Sequence, residues 1–369
     1  MDRGKLAVLV VLVVGIVIGL AVRPALFGDS EVTAVTPTTT SDAPEAAKSV
    51  RWKMASAYAG TTPIIGPSMK EMLERIRTSS DGSLDIRFFE PGALVPPLEI
   101  FDAVASGGVD AGWATPGFWA GKVPALQLFA SIPFGPAAPE YMAWMYVGGG
   151  QELLDELYLK HNIKSTLCMI LPPEASGWFR QEIRTLDDLR GLKMRFFALG
   201  ARVMEKLDVS TQLLAGGDIY PALELGTIDA TEFSSPAIDR NFGFEQIAKF
   251  YYFPGWHQQS TWADVIYNLD GWNELSLGQQ TLLTMACGDL VQRGLAQGEA
   301  LQVPALEYFE GEGVQLKRWS DEFLNAYRTA WEQVAIEESE KDADFARALA
   351  SLNEFRERFA IWRDLGYLD

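Results

Sequence analysis

Apolar positions along this chain follow two rhythms. Trp52 to Tyr58 and Leu84 to Phe89 alternate as strands. Between them Met69, Met72, Leu73 and Ile76 share a stripe, which predicts a helix over Met69 to Arg77. After a loop at Glu90–Pro97 (EPGALVPP), Leu98 to Ser106 reads as a helix stopped by Gly107-Gly108, and Val109 to Trp113 as the next strand. Farther on, Leu192, Met194 and Phe196 alternate with Lys193, Arg195 and Phe197 as another strand. A short helix precedes it, with Thr185 as N-cap, Asp188 completing an acidic capping box, and Gly191 at the C′ position. Ala201 to Leu207 reads as a helix, and Trp262 to Asn268 as a strand crossing between domains. Amphipathic helices dominate the chain from Leu277 onward.

One unit recurs. Phe101–Ala111 (FDAVASGGVDA) matches Tyr220–Ala230 (YPALELGTIDA), a helix ended by glycine and then a tight turn into a strand. A Pro-containing loop follows each copy, Thr115-Pro116 and Ser235-Pro236. One copy per half predicts an α/β fold of two similar domains with mainly parallel sheets, binding ligand at the strands' carboxyl ends in the cleft between them. On the last helix Phe345, Leu349, Leu352, Phe355, Phe359 and Trp362 share a stripe. That stripe packs on its own domain or forms a dimer contact, swapping included.

At the start, Arg3 and Lys5 precede an unbroken apolar run of 17 residues, Leu6 to Val22. This is the form of an export signal and close to the shortest stretch that spans a bilayer. Ala21-Val-Arg-Pro is a poor cleavage site, so residues 1–27 read as a removed signal peptide or a retained membrane anchor. No cysteine lies near this run, which excludes a lipoprotein anchor. Residues 28–50, rich in Thr, Ala, Ser and Pro, read as a flexible linker. The folded part is therefore expected outside the cytoplasmic membrane, starting near Arg51.

Composition adds exclusions. Hydrophobic content of 48% and charged content of 22% are ordinary for a globular protein. A net charge of −18 argues against nucleic acid or an anionic membrane surface as the main partner, and requires any anionic ligand to meet local positive charge. Cys168 and Cys287 sit in apolar runs (TLCMIL and TMACGDL), which read as two buried free thiols, with one disulfide as the alternative. With only His161 and His257, a multi-histidine metal site is excluded, and there is no P-loop, H-E-x-x-H or G-x-S-x-G motif.

Candidate chemistry concentrates in Glu174–Arg195 (EASGWFRQEIRTLDDLRGLKMR), which holds Arg180 and Arg195 in apolar surroundings and a carboxylate just upstream. On its strand Arg195 stands on the face opposite Leu192, Met194 and Phe196. A guanidinium fixed there can grip one carboxylate bidentately; pairing with a neighbouring Asp or Glu is the plain alternative.

The order of these motifs resembles the periplasmic substrate-binding subunit of tripartite ATP-independent periplasmic (TRAP) transporters, and within that family the 2-oxo acid-binding branch. The resemblance rests on Arg51–Met54 (RWKM), Glu90–Pro97, Ile132–Gly135 (IPFG), Gly177–Arg180 (GWFR), Gly191–Arg195 (GLKMR), Tyr220–Glu232 (YPALELGTIDATE) and Pro254–His257 (PGWH). It implies an α/β two-domain periplasmic clamshell with long crossing segments and an extended C-terminal helix. Domain I would take residues 51–177 and 263–305, domain II 178–262 and 306–340, and the last helix 341–369, which in this branch tends to form a homodimer. The subunit would capture a small carboxylate, a 2-oxo acid such as pyruvate or else lactate. It would deliver this to an ion-gradient-driven permease, without chemistry.

The resemblance gives Arg195 the substrate carboxylate, with Arg180 assisting. A Na+ or Ca2+ ion beside the ligand would be held by Glu174, Glu232 and the backbone carbonyl of Phe233. The cleft wall is expected to be aromatic, with Trp113, Trp119, Trp178 and Trp256 as candidates and core packing as their alternative. Two positions depart from the pattern. Glu174 stands where Gln is expected, and a second carboxylate favours a divalent ion such as Ca2+. Phe118 stands near the pocket where a tyrosine is expected, removing one hydroxyl. Two other classes remain: a metal-dependent hydrolase or lyase, for which only His257 is a candidate base, and a tethered sensor domain, which needs a signalling partner.

Overall fold

The computed structural model of the protein describes residues 49–367, so the expected signal or anchor and almost all of the linker lie outside them. Among the described residues no helix is long and apolar enough to cross a membrane. In chain order the strands are β1 (Val50–Ser56), β2 (Leu84–Phe89), β3 (Ala111–Ala114), β4 (Ile163–Leu171), β5 (Gly177–Phe179), β6 (Lys193–Arg195), β7 (Ser210–Gln212), β8 (Ala230–Thr231), β9 (Phe250–Phe253), β10 (Thr261–Asn268) and β11 (Gln315–Arg318). They form one sheet in the order β2-β1-β3-β10-β4 and another in the order β11-β9-β5-β8-β6-β7.

The repeated unit forms once in each sheet. Helix Ile100–Ala105 stops before Gly107 (φ +75°) and β3 starts at Ala111; helix Gly216–Glu224 stops before Gly226 (φ +70°) and β8 starts at Ala230. Left-handed backbone there suits glycine, which lacks the Cβ that makes it costly. The shared aspartates act alike. Asp110 Oδ2 accepts from the Lys53 backbone N at 2.7 Å, and Asp229 Oδ2 from the Lys193 backbone N at 3.0 Å. The registers match as well, Met54 facing Ala111 and Met194 facing Ala230. A Lys-Met strand is thus pinned by an Asp-Ala strand in both sheets.

The sheets are mainly parallel, as expected, with one reversed strand in each. β10 runs antiparallel to β3 and β4, and β5 antiparallel to β8 and β9. The chain crosses between sheets at residues 172–176 and 254–260, leaving the carboxyl end of one strand and entering the other sheet at the same edge. The entering strand must therefore run backwards. The segment 261–268 lies wholly in the first sheet, so the crossing is the loop before it.

The second sheet alternates cleanly. Trp178, Tyr251 and Phe309 pack on one face, and Phe179, Tyr252, Trp319 and Phe323 on the other. Helices dominate from Leu277 onward, as expected, with one strand among them: β11 (QLKR) pairs with β9 as an edge strand too polar to show an apolar rhythm. Cys168 on β4 and Cys287 on helix Leu277–Ala300 are joined by a disulfide, which corrects the reading of two free thiols. The helix lies along β4, bringing the two apolar runs face to face. In the last helix, Ala343–Gly366, Phe345, Ala348, Leu349 and Leu352 are buried on the chain's own core, whereas Ile361 and Trp362 are 68% and 58% exposed.

Candidate functional site

A buried cavity lies where the carboxyl ends of β1, β3, β4, β6 and β8 meet the two crossing segments. Tyr58, Thr115, Leu171 and Thr261 face it from the first sheet, and Arg195, Phe197, Phe233 and Ser234 from the second. It leaves about 30 Å³ for the centres of water-sized groups, room for a few heavy atoms. The crossings hold each other: Glu174 N donates to Gln258 O and Gly255 N to Glu174 O, both at 3.0 Å. A Cβ on Gly255 would stand 2.2 Å from Glu174 O, so this approach requires glycine.

Arg195, on the cavity face of β6, is 1% exposed. Its Nε donates to Leu214 O at 3.2 Å, and its Nη1 to Glu232 O and Oε1, each at 2.8 Å. The guanidinium sits 5.3 Å from the centre of the Phe233 ring. Glu232 Oε1 also accepts from Phe197 N at 2.5 Å, while Oε2 is buried without a partner. Glu174 Oε1 accepts from Thr261 Oγ1 at 3.0 Å and Ser234 Oγ at 3.4 Å, and its Oε2 too is buried without a partner. One ligand atom from each of Glu174, Glu232 and His257 lies within 4.8 Å of the other two.

Burial and then the charge of Glu232 hold the Glu174 carboxyl well above the usual carboxylate range. Burial raises Glu232 as well, against the Arg195 charge and the Phe197 N–H. Burial and the Arg195 charge lower His257 to about 3, leaving the imidazole neutral. Two crowded carboxylates, each with an unpartnered oxygen and sharing the charge of Arg195, stand beside the unpartnered Gln258 Oε1. An oxygen-ligated cation fits that donor set.

The other expected wall residues lie elsewhere. Arg180 follows β5, whose carboxyl end is at the sheet edge away from the cavity because that strand is reversed; its guanidinium donates to Leu223 O. Trp178 stacks on Tyr251 at 3.8 Å and donates to Asp239 Oδ2 at 2.9 Å inside the second sheet's core. Trp256 stacks on Tyr327 at 4.6 Å, and Trp113 and Trp119 are fully buried in the first core. Phe118 lines the cavity, packed edge-on against Phe197 at 5.1 Å. Sequence reading missed Tyr58, Thr115, Ser234, Gln258 and Thr261, polar groups that resemble ordinary turn residues. The Tyr58 hydroxyl bonds to Thr115 Oγ1 in the cavity wall.

The family model for bacterial extracellular solute-binding protein, family 7, matches residues 55–342. A monocarboxylate 2-oxoacid-binding periplasmic protein from Nostoc sp. is 34% identical over 334 residues, covering 90% of this chain and 91% of the relative. A TRAP transporter solute-binding protein from Bordetella bronchiseptica, a mixed-occupancy dimer with copurified calcium and picolinate, superposes with a TM-score of 0.84 at 35% identity, covering 86% of this chain and 95% of that one. A TRAP periplasmic solute-binding protein from Pseudoalteromonas atlantica, with bound sodium and pyruvate, superposes with a TM-score of 0.83 at 32% identity, covering 86% and 97%.

Proposed function

The chain belongs to bacterial extracellular solute-binding protein family 7 and is a TRAP transporter solute-binding protein; on that premise we propose that it captures a small monocarboxylate bearing an oxygen at position 2, such as pyruvate or lactate, together with a cation, and carries out no chemistry on it. The observation that carries this reading is the buried cavity lined by Arg195 and Glu174, with Glu232 paired to Arg195 and one oxygen of each acid unpartnered. Arg195 neutralises the acid's carboxylate, and Glu174, Glu232 and the Phe233 carbonyl hold the cation. A bound cation supplies the positive charge that lets three carboxylates share one dry site.

The charge count favours a divalent ion. Arg195 offsets one of the two glutamates, leaving one negative charge, and a monocarboxylate adds a second. Ca2+ brings the site to neutrality, whereas Na+ leaves it negative, and uncompensated buried charge is costly. Segments 51–177 with 263–305, and 178–262 with 306–340, act as the two halves that close over the acid before delivery to the permease. Export depends on residues 1–27. The exposed outer half of the last helix meets a second copy of the chain.

The test is calorimetric titration of purified protein, stripped by unfolding, chelation and refolding, with pyruvate, lactate and longer 2-oxo acids, in Na+ alone and with added Ca2+. Cation-dependent binding that is lost in Arg195→Ala is the expected result. Binding indifferent to cation would remove the metal site, and turnover of any acid would replace the carrier with the hydrolase or lyase reading.

A further inference from the structure

We propose that His257 is a third side-chain ligand of the cation, so that the site also takes a divalent transition metal of the Mn2+, Co2+ or Zn2+ class. This rests on the cation reading above and goes beyond the oxygen ligands of that reading. His257 is 1% exposed, and neither ring nitrogen has a hydrogen-bond partner. A buried polar group left unsatisfied costs about 1–3 kcal/mol, so such groups call for an explanation. Here one free nitrogen faces a free oxygen. His257 Nε2 stands 3.9 Å from Glu232 Oε2, and Arg195 occupies the other oxygen of that carboxylate.

The imidazole is also held in place. Phe196 packs edge-on against it at 4.9 Å and Trp256 at 5.5 Å. A Cβ on Gly200 would stand 3.0 Å from His257 Cβ, so the helix after β6 reaches the histidine only through a glycine. The next residue, Gln258, bonds the Glu174 backbone, which ties the ring's position to the first carboxylate. Ligands about 2.0–2.2 Å from one ion lie roughly 3–4.4 Å apart. The 3.9 Å between Nε2 and Oε2 falls within that span, and the limit of 4.8 Å for the whole set requires only a small inward shift.

Donor chemistry then sets the metal. Ca2+ and Na+ use oxygen, whereas imidazole nitrogen suits first-row metals and raises their affinity relative to a site of oxygens alone. An acid with a 2-oxo group still chelates the ion through oxygen, so the carrier role is unchanged.

The test loads stripped full-length protein with Mn2+ and records electron spin echo modulation with and without 15N-histidine. Directly bonded 14N that becomes 15N on labelling is expected. His257 is the source, since the other histidine, the half-buried His161, packs against Phe101 and does not belong to the Glu174–Glu232–His257 cluster. In parallel, His257→Gln should lose at least about tenfold in Zn2+ affinity while Ca2+ affinity changes less than about twofold. A Mn2+ spectrum without nitrogen, or equal losses for Zn2+ and Ca2+, would overturn the assignment. If the variant does not fold, the wild-type spectrum decides alone. Failure of Ca2+ and Mn2+ alike to bind the wild type would instead overturn the underlying cation reading.

Discussion

Glu174→Gln separates the charge of the site from its shape. The amide keeps an oxygen for Thr261, Ser234 and a cation, and removes one negative charge. In the metal-free protein, burial and then the charge of Glu232 drive the Glu174 carboxyl toward its neutral form. An ion that uses this carboxylate must therefore also bear the repulsion between the two acids. For ligand atoms within 4.8 Å, that repulsion is about 3 kcal/mol at an effective dielectric of ~20. At the ~2.4 Å of an oxygen-bound ion, the attraction of a single charge to Glu174 is about twice that repulsion and that of a double charge about four times it. Glu174→Gln should thus weaken Ca2+ binding by roughly 100-fold or more, and Na+ binding by a markedly smaller factor.

The metal-free fold should respond in the opposite direction. Folding raises the Glu174 pKa above the ordinary 4.5, so above that pH the native state binds more protons than the unfolded chain. Stability contributed by this group therefore falls as pH rises from 4.5 toward the raised value. The amide removes that loss. At pH 8 the metal-free variant should melt about 5 °C higher than wild type, taking about 2 °C per kcal/mol for a chain of this size, and the gap should close near pH 4. Titration calorimetry with Ca2+ and Na+, and scanning calorimetry at both pH values, measure the two effects. Ca2+ affinity within about threefold of wild type, or no gain in melting temperature at pH 8, would refute the reasoning.

Arg195→Met should cost the acid about 1.5–3 kcal/mol, roughly 10- to 100-fold in affinity, from the loss of charged hydrogen bonds; Ca2+ binding should persist or tighten in the same titrations, because the site becomes more negative. Trp362→Glu, on the 58% exposed outer face of the last helix, should convert a dimer to a monomer in sedimentation equilibrium without changing acid affinity. Replacing Cys168 and Cys287 together by alanine opens a covalent loop spanning 119 residues. Chain entropy assigns such a loop about 4–5 kcal/mol, so thermal unfolding of the variant should match that of reduced wild type.

Arg195 and Glu232 were picked out through the GLKMR and YPALELGTIDATE motifs of the resemblance, and the structure pairs the two side chains. Lys-Met and Asp-Ala pair in the same register in both sheets, so the residues after those strands reach the same edge. Arg180 was placed by the GWFR motif and Trp178 as an aromatic wall candidate, and neither signal shows that β5 is reversed by the crossing that precedes it. The disulfide was hidden for a similar reason: an apolar context suits a buried thiol and a buried bridge alike. Tyr58, Thr115 and Thr261 sit one or two residues beyond or at strand ends, where hydroxyls are common turn formers. Only the meeting of two sheets shows that their side chains share a cavity.

That meeting also explains how one cavity can fix the head of an acid and sort its tail. Arg195, Glu174, Thr261 and Ser234 are among the polar groups of its wall, and Ile65, Phe118, Leu171 and Phe197 among the apolar ones. Phe118 does not simply lack a hydroxyl. Its ring meets Phe197 edge-on at 5.1 Å across the gap between sheets, and a Cβ on neighbouring Gly117 would stand 2.4 Å from Phe197 Cζ. This apolar wall is therefore itself a contact between the two halves, and a longer tail must push against it. Head-group chemistry answers to charge, which every 2-oxo acid satisfies equally. Discrimination among those acids must then fall to the Phe118–Phe197 wall, where each added methylene competes with the contact that keeps the site dry.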